Sequence, residues 1–124
     1  DINYLIAYAH YLSNGGTPKG WQQFTETDIA MMQAYYTEQR YKEMPEGSYT
    51  TSLFKDGLNR MAQKVGEEAL ELVIEATNGT NERLVYEGSD MLYHLIVLLT
   101  SKGMRIEDMA AELMERHNPG WKKH

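Results

Sequence analysis

Three features of the 124-residue sequence predict an all-α fold, a small helical bundle. First, residues 58–77 repeat apolar side chains at helical spacing. At 100° per residue, Leu58, Met61, Val65, Ala69, Leu72 and Ala76 fall within an arc of roughly 80°. Second, no apolar–polar alternation of the kind a half-buried strand needs persists beyond short ambiguous runs. Third, Asn78-Gly79-Thr80 sets a stop and a start signal between two long helical patterns.

Taken in order, residues 2–13 carry Tyr4, Tyr8 and Tyr11 at helical spacing, an aromatic stripe suited to core or a subunit contact. Residues 14–20, NGGTPKG, read as a linker, because Gly, Pro and Asn-Gly interrupt regular structure. A helix is expected to begin between Thr25 and Asp28, a weaker form of the capping box, and to stop before Pro45. The segment 45–54 reads as a loop entering a short helical turn, broken again at Asp56-Gly57. The main helix spans 58–77, and Gly79 is expected to end it in the left-handed conformation. Thr80 or Asn81 can cap the next helix, 81–101. Its second half, MLYHLIVLL, is apolar nearly all round, which predicts burial on every side and a homo-oligomeric interface. Gly103 ends it. Residues 106–117 give a final amphipathic helix with Ile106, Met109, Ala110 and Leu113 on one face, and NPGWKKH reads as a loose tail.

Composition excludes several functions. The net charge is −6 with no basic block, which argues against a general nucleic-acid or anionic-membrane binder. With no Cys there is neither a disulfide nor a cysteine zinc site, and a reducing cytoplasm fits. No apolar run is long enough to span a bilayer. No charged segment precedes an apolar one at the N-terminus, so no signal peptide is expected.

The chemistry concentrates in residues 64–90. Glu67-Glu68-x-x-Glu71 and Glu87-x-x-Asp90 stand on either side of the Asn78-Gly79-Thr80 turn. Carboxylates three apart share a helix face, and two such pairs on antiparallel helices can face each other across a hard divalent cation. Oxygen-only ligands favour Mg²⁺, Mn²⁺ or Ca²⁺ over zinc. Lys64, Glu68, Glu71 and Glu75 fall in the arc next to the apolar stripe, whereas a merely solvated face tends to lie opposite it. His94, four residues after Asp90, is placed for a contact with a ligating carboxylate. Surface helices also carry Glu in abundance, so spacing alone leaves an ordinary acidic face as the other reading. No Glu is followed by His three residues later, which excludes a di-iron carboxylate bundle.

The segments SYTTSLFKDGLNRMAQKVGEEALELVIEATNG, YEGSDMLYHLIVLL and ELMERH, across about residues 44–117, resemble phosphoribosyl-ATP pyrophosphatases. That family lies within the wider MazG-type superfamily of all-α nucleotide pyrophosphatases. The resemblance implies Mg²⁺-dependent cleavage of the α–β phosphoanhydride of phosphoribosyl-ATP, giving phosphoribosyl-AMP and pyrophosphate in histidine biosynthesis. It further implies a homodimer or larger assembly. By position, it makes Glu68, Glu71, Glu87 and Asp90 metal ligands, with Mn²⁺ an alternative to Mg²⁺. Glu67 becomes the residue that orients or deprotonates water, Lys64 a phosphate contact, and Tyr49 and Ser52 substrate contacts. A house-cleaning pyrophosphatase acting on dUTP or similar triphosphates shares the acidic motif. A non-catalytic helical oligomerisation module would keep the fold alone. The expected organisation is an N-terminal helical extension over 1–43, the pyrophosphatase-like domain over 44–117 and a tail over 118–124. Residues 1–24 carry no part of the resemblance.

Overall fold

The computed structural model describes residues 11–12, 15 and 26–123. Every regular element among them is a helix: α1 (Glu26–Glu43), α2 (Tyr49–Asp56), α3 (Leu58–Asn78), α4 (Asn81–Ser101) and α5 (Ile106–Glu115). The all-α expectation therefore holds. The chain divides into two units, Asp1–Gly57 and Leu58–His124. Of the N-terminal tyrosine stripe, Tyr11 is buried, while Tyr4, Tyr8, most of the 14–20 linker and the cap at Thr25 lie outside the described residues.

In the first unit, α1 packs on α2. Tyr41 meets Phe54 edge to face, with ring centroids 4.7 Å apart. Leu53 and Phe54 are buried beside Thr50 and Thr51. Thr37 is fully buried, and its hydroxyl donates to the Gln33 carbonyl at 2.8 Å, so its burial leaves no donor unmet. Helix α1 stops where Met44 turns to φ +48° ahead of Pro45. The next segment is more helical than its loop-like composition suggests. Ser48 accepts the Thr51 N–H at 3.3 Å and starts α2, which the positive φ of Gly57 ends after two turns.

In the second unit, α3 and α4 form a helical hairpin joined only by Gly79 and Thr80. Thr80 accepts the Arg83 N–H at 3.2 Å and caps α4 as expected. Gly79 does not take the left-handed conformation expected of it. Its role is space: a Cβ there would come 1.8 Å from Glu75 Oε2. The left-handed glycine is instead Gly103, after α4. There the Gly103 N–H reaches the Thr100 carbonyl and the Met104 N–H reaches the Leu99 carbonyl, which makes a Schellman ending.

The face that α3 buries is displaced from the predicted stripe. Met61 and Glu68 are buried, Lys64, Val65, Leu72 and Glu75 half-buried, and Leu58 and Ala76 exposed. Most of the acidic stripe thus belongs to the contact face itself, with Glu71 at its exposed edge. Likewise α4 is not buried all round: His94, Val97 and Leu99 are, but Leu92 is 44% exposed. One hairpin partner covers one side of a helix, and the remaining apolar surface stays open. The same holds for α5, where Met109, Ala110 and Leu113 are exposed. The tail is less loose than expected. Trp121 N–H donates to the Asn118 carbonyl at 3.0 Å, and the Arg116 guanidinium lies over the Trp121 ring.

Replacing Thr80 with Ala should lower stability by about 1 kcal/mol, the usual worth of such a cap. Thermal unfolding checks this, with an unchanged midpoint counting against the cap's role.

Candidate metal centre

The hairpin register brings residues near 71–75 of α3 opposite residues 83–87 of α4. Arg83 reaches Glu75 across the pair, and Gly88 lets Leu72 approach to 3.4 Å of where its Cβ would be. The result is a cluster in which Glu68, Glu71 and Glu87 each offer an oxygen, all within 4.8 Å of one another. Glu68 and Glu87 are buried, at 6% and 5% exposure, and Glu71 is exposed.

The two buried carboxylates are partnered in the same way. Glu68 Oε1 lies 3.3 Å from Lys64 Nζ, and Glu87 Oε1 accepts from Arg83 Nη2 at 2.7 Å. In each case the other oxygen, Oε2, is buried without a hydrogen-bond partner. Leaving a buried polar atom unsatisfied costs about 1–3 kcal/mol, and more for a charged group. Two such atoms beside a third carboxylate form a site that a cation would stabilise. The donor set fits Mg²⁺ or Mn²⁺: all oxygen, anionic and partly desolvated. Opposite oxygens around Mg²⁺ stand about 4.2 Å apart, so small side-chain adjustments would close the cluster on an ion.

The other sequence-predicted residues are placed as follows. Asp90 is half-buried on α4 and lies outside the tight three-carboxylate group, at the level of Glu68 in the hairpin register. His94 is buried, and its Nδ1 pairs with the backbone carbonyl of Asp90 at 2.8 Å. This contact is with the main chain of Asp90. Glu67 is exposed at the edge of the acidic face. Its Oε1 accepts from Gln63 at 2.9 Å and its Oε2 lies 3.3 Å from Lys64 Nζ. The Gln63 hydrogen bond, and then Lys64, hold its pKa below the ordinary carboxyl value.

Tyr49 and Ser52 belong to the first unit. Together with Glu46, Gly47, Ser48, Thr51 and Lys55 they line an open depression of about 520 Å³. The residue that spacing analysis overlooked is Arg83. The signal was available, since Arg83 precedes Glu87 by four residues as Lys64 precedes Glu68.

By fold and site the chain is thus an all-α protein built on a helical hairpin in which three carboxylates, two of them buried, converge. A family model described as phosphoribosyl-ATP pyrophosphohydrolase matches residues 35–117. The histidine biosynthesis bifunctional protein HisIE of Bacteroides thetaiotaomicron is 61% identical over 111 residues, covering 88% of this chain and 55% of that protein. HisIE of Halalkalibacterium halodurans is 48% identical over 91 residues, 73% of this chain and 43% of that protein. The phosphoribosyl-ATP pyrophosphatase of Metallosphaera sedula is 44% identical over 90 residues, 73% of this chain and 97% of that protein. The chain belongs to the phosphoribosyl-ATP pyrophosphohydrolase family. It spans about half the length of the bifunctional relatives it matches. The family match starts at residue 35, inside the stretch set apart as an extension. A likeness covering 88% of the chain also takes in part of residues 1–24.

Millimolar Mg²⁺ should raise the thermal midpoint of the protein by preferential binding to the folded state. The shift should vanish in Glu87→Gln. An equal shift in both proteins would place the ion elsewhere.

Proposed function

We propose that this chain carries out Mg²⁺-dependent hydrolysis of the α–β phosphoanhydride of phosphoribosyl-ATP, releasing phosphoribosyl-AMP and pyrophosphate in histidine biosynthesis. One observation carries the reading: Glu68, Glu71 and Glu87 converge with two buried oxygens left unpartnered, within a chain of this family. Glu68, Glu71, Glu87 and Asp90 are the ligand set. Bound there, Mg²⁺ or Mn²⁺ supplies positive charge to the phosphate oxygens and makes water a better nucleophile at neutral pH.

The residues of the chain do the remaining work. A protein of net charge −6 repels a polyanion on its own, so the cluster must be charge-compensated before substrate can approach. Lys64, half-buried beside Glu67 and Glu68, is the phosphate contact on α3. Glu67 stays ionised, because its neighbours lower its pKa, and serves to orient the attacking water by accepting a hydrogen bond. Tyr49 and Ser52 are the substrate contacts in the first unit.

Exposed Leu70, Val73 and Ile74 on α3, with Val85 and Leu92 on α4, support assembly into a homodimer or larger oligomer. We place its action in the cytoplasm; no helix among the described residues is long and apolar enough to cross a membrane.

Purified protein supplied with Mg²⁺ and phosphoribosyl-ATP should release pyrophosphate, and should do so faster than with dUTP. A folded protein that releases none overturns the reading, and a preference for dUTP reassigns the substrate. Glu71→Gln and Asp90→Asn should each lose activity on the order of a hundredfold while keeping a wild-type circular dichroism spectrum. Wild-type rates in Asp90→Asn would remove it from the ligand set. Leu70→Glu should shift the sedimentation coefficient toward that of a monomer, whereas an unchanged profile would exclude that face from the interface.

A further inference from the structure

The proposed reaction leaves one cation at the carboxylate cluster without a task. The Arg83 guanidinium is held on three sides. Its Nη2 lies 2.7 Å from Glu87 Oε1, its Nε lies 3.9 Å from Glu75 Oε1 on the facing helix, and its Cζ stands 4.6 Å from the Tyr86 ring centroid. Gly79 belongs to the same arrangement, since any Cβ there would collide with the Glu75 carboxylate.

We propose that Arg83 is a positioning residue for the metal centre, fixing Glu87 so that its unpartnered oxygen stays turned toward a cation shared with Glu68 and Glu71. The inference rests on the reading of the cluster as a cation site. Three carboxylates this close repel one another when no ion is present. A glutamate has three rotatable bonds and can relieve that repulsion by turning away. Glu87 is restrained from doing so by a planar donor that is itself held, by a cation–π contact with Tyr86 and by a second carboxylate across the hairpin. Lys64 stands in the equivalent place beside Glu68, but its compact ammonium, 3.3 Å from both Glu67 and Glu68, offers no planar fork to set a carboxylate's direction.

The alternative role for Arg83 is a plain competitor, a positive charge occupying the site until a metal displaces it. The two roles predict opposite signs. Removing a competitor tightens cation binding, and removing a positioning residue weakens it even though a positive charge has gone. The contacts favour positioning, because Glu75 and Tyr86 hold the guanidinium whether or not Glu87 engages it.

The test is Mn²⁺ binding to the full chain, followed by electron paramagnetic resonance of the free ion, in wild type, Arg83→Met, Arg83→Lys and Tyr86→Leu. Arg83→Met should bind Mn²⁺ on the order of tenfold more weakly. Arg83→Lys should recover part of the loss. Tyr86→Leu, a change at a 56% exposed side chain with little risk to folding, should weaken binding by a smaller factor. In pyrophosphate release, Arg83→Met should need more Mg²⁺ and approach the wild-type rate at saturating Mg²⁺, which a merely unfolded fraction would not do. Unchanged or tighter Mn²⁺ binding by folded Arg83→Met overturns the proposal. If that variant does not fold, unchanged binding by Tyr86→Leu does the same. Absence of Mn²⁺ binding by the wild type would instead sink the cation-site reading, and this proposal with it, which is a different result from equal binding by wild type and variant.

Discussion

Two glutamates buried side by side between a pair of helices constrain much of the second unit. Charge of one sign does not enter a helix interface unaided. Here each buried carboxylate keeps one oxygen on a cation from its own helix, Lys64 for Glu68 and Arg83 for Glu87. Each leaves the other oxygen bare. An apolar pair at these positions would pack without any such penalty. The interface between α3 and α4 therefore gives up stability, which a cation bound as proposed would recover. The order of the hairpin follows from this requirement. The short link fixes register, register sets Glu68 and Glu71 against Glu87, and Arg83, half exposed, stays in contact with water while Lys64 is largely covered.

The surface distribution of apolar groups follows from the same geometry. Because the acidic stripe of α3 turns inward, much of its apolar surface turns outward, at Leu70, Val73 and Ile74. The α4 helix does likewise at Val85 and Leu92. A hairpin that turns its acidic face inward leaves apolar surface outside, and that surface is the basis of the proposed self-assembly.

Helix boundaries were legible because they depend on local chemistry. The start of α4 at Thr80, the end of α1 before Pro45 and the stop after α4 at Gly103 each follow from one or two residues. The acidic cluster was legible in part. Spacing put Glu68 and Glu71 on one face, but three glutamates read alike whether the face is wet or dry. The rotation of α3 that buries Glu68 depends on what α4 presents, and a helical wheel does not contain that information. Arg83 escaped in part for a related reason: its pairing with Glu87 four residues on was readable in the sequence, but its contact with Glu75 exists only through the hairpin register. The Gly79 expectation failed because a glycine can serve a neighbour's side chain as readily as its own backbone angles. Resemblance supplied what pattern could not, a substrate for an otherwise generic acidic site.

The two-residue link between α3 and α4 has a consequence for how the protein is made. Every side chain of the three-carboxylate cluster lies within a stretch running from Glu68 to Glu87, closed by the shortest of turns. Contacts between near neighbours in sequence form early and at small entropic cost. The hairpin and its carboxylates can therefore come together before contacts with more distant segments form. The feature that fixes the register of the site also makes the site local in sequence.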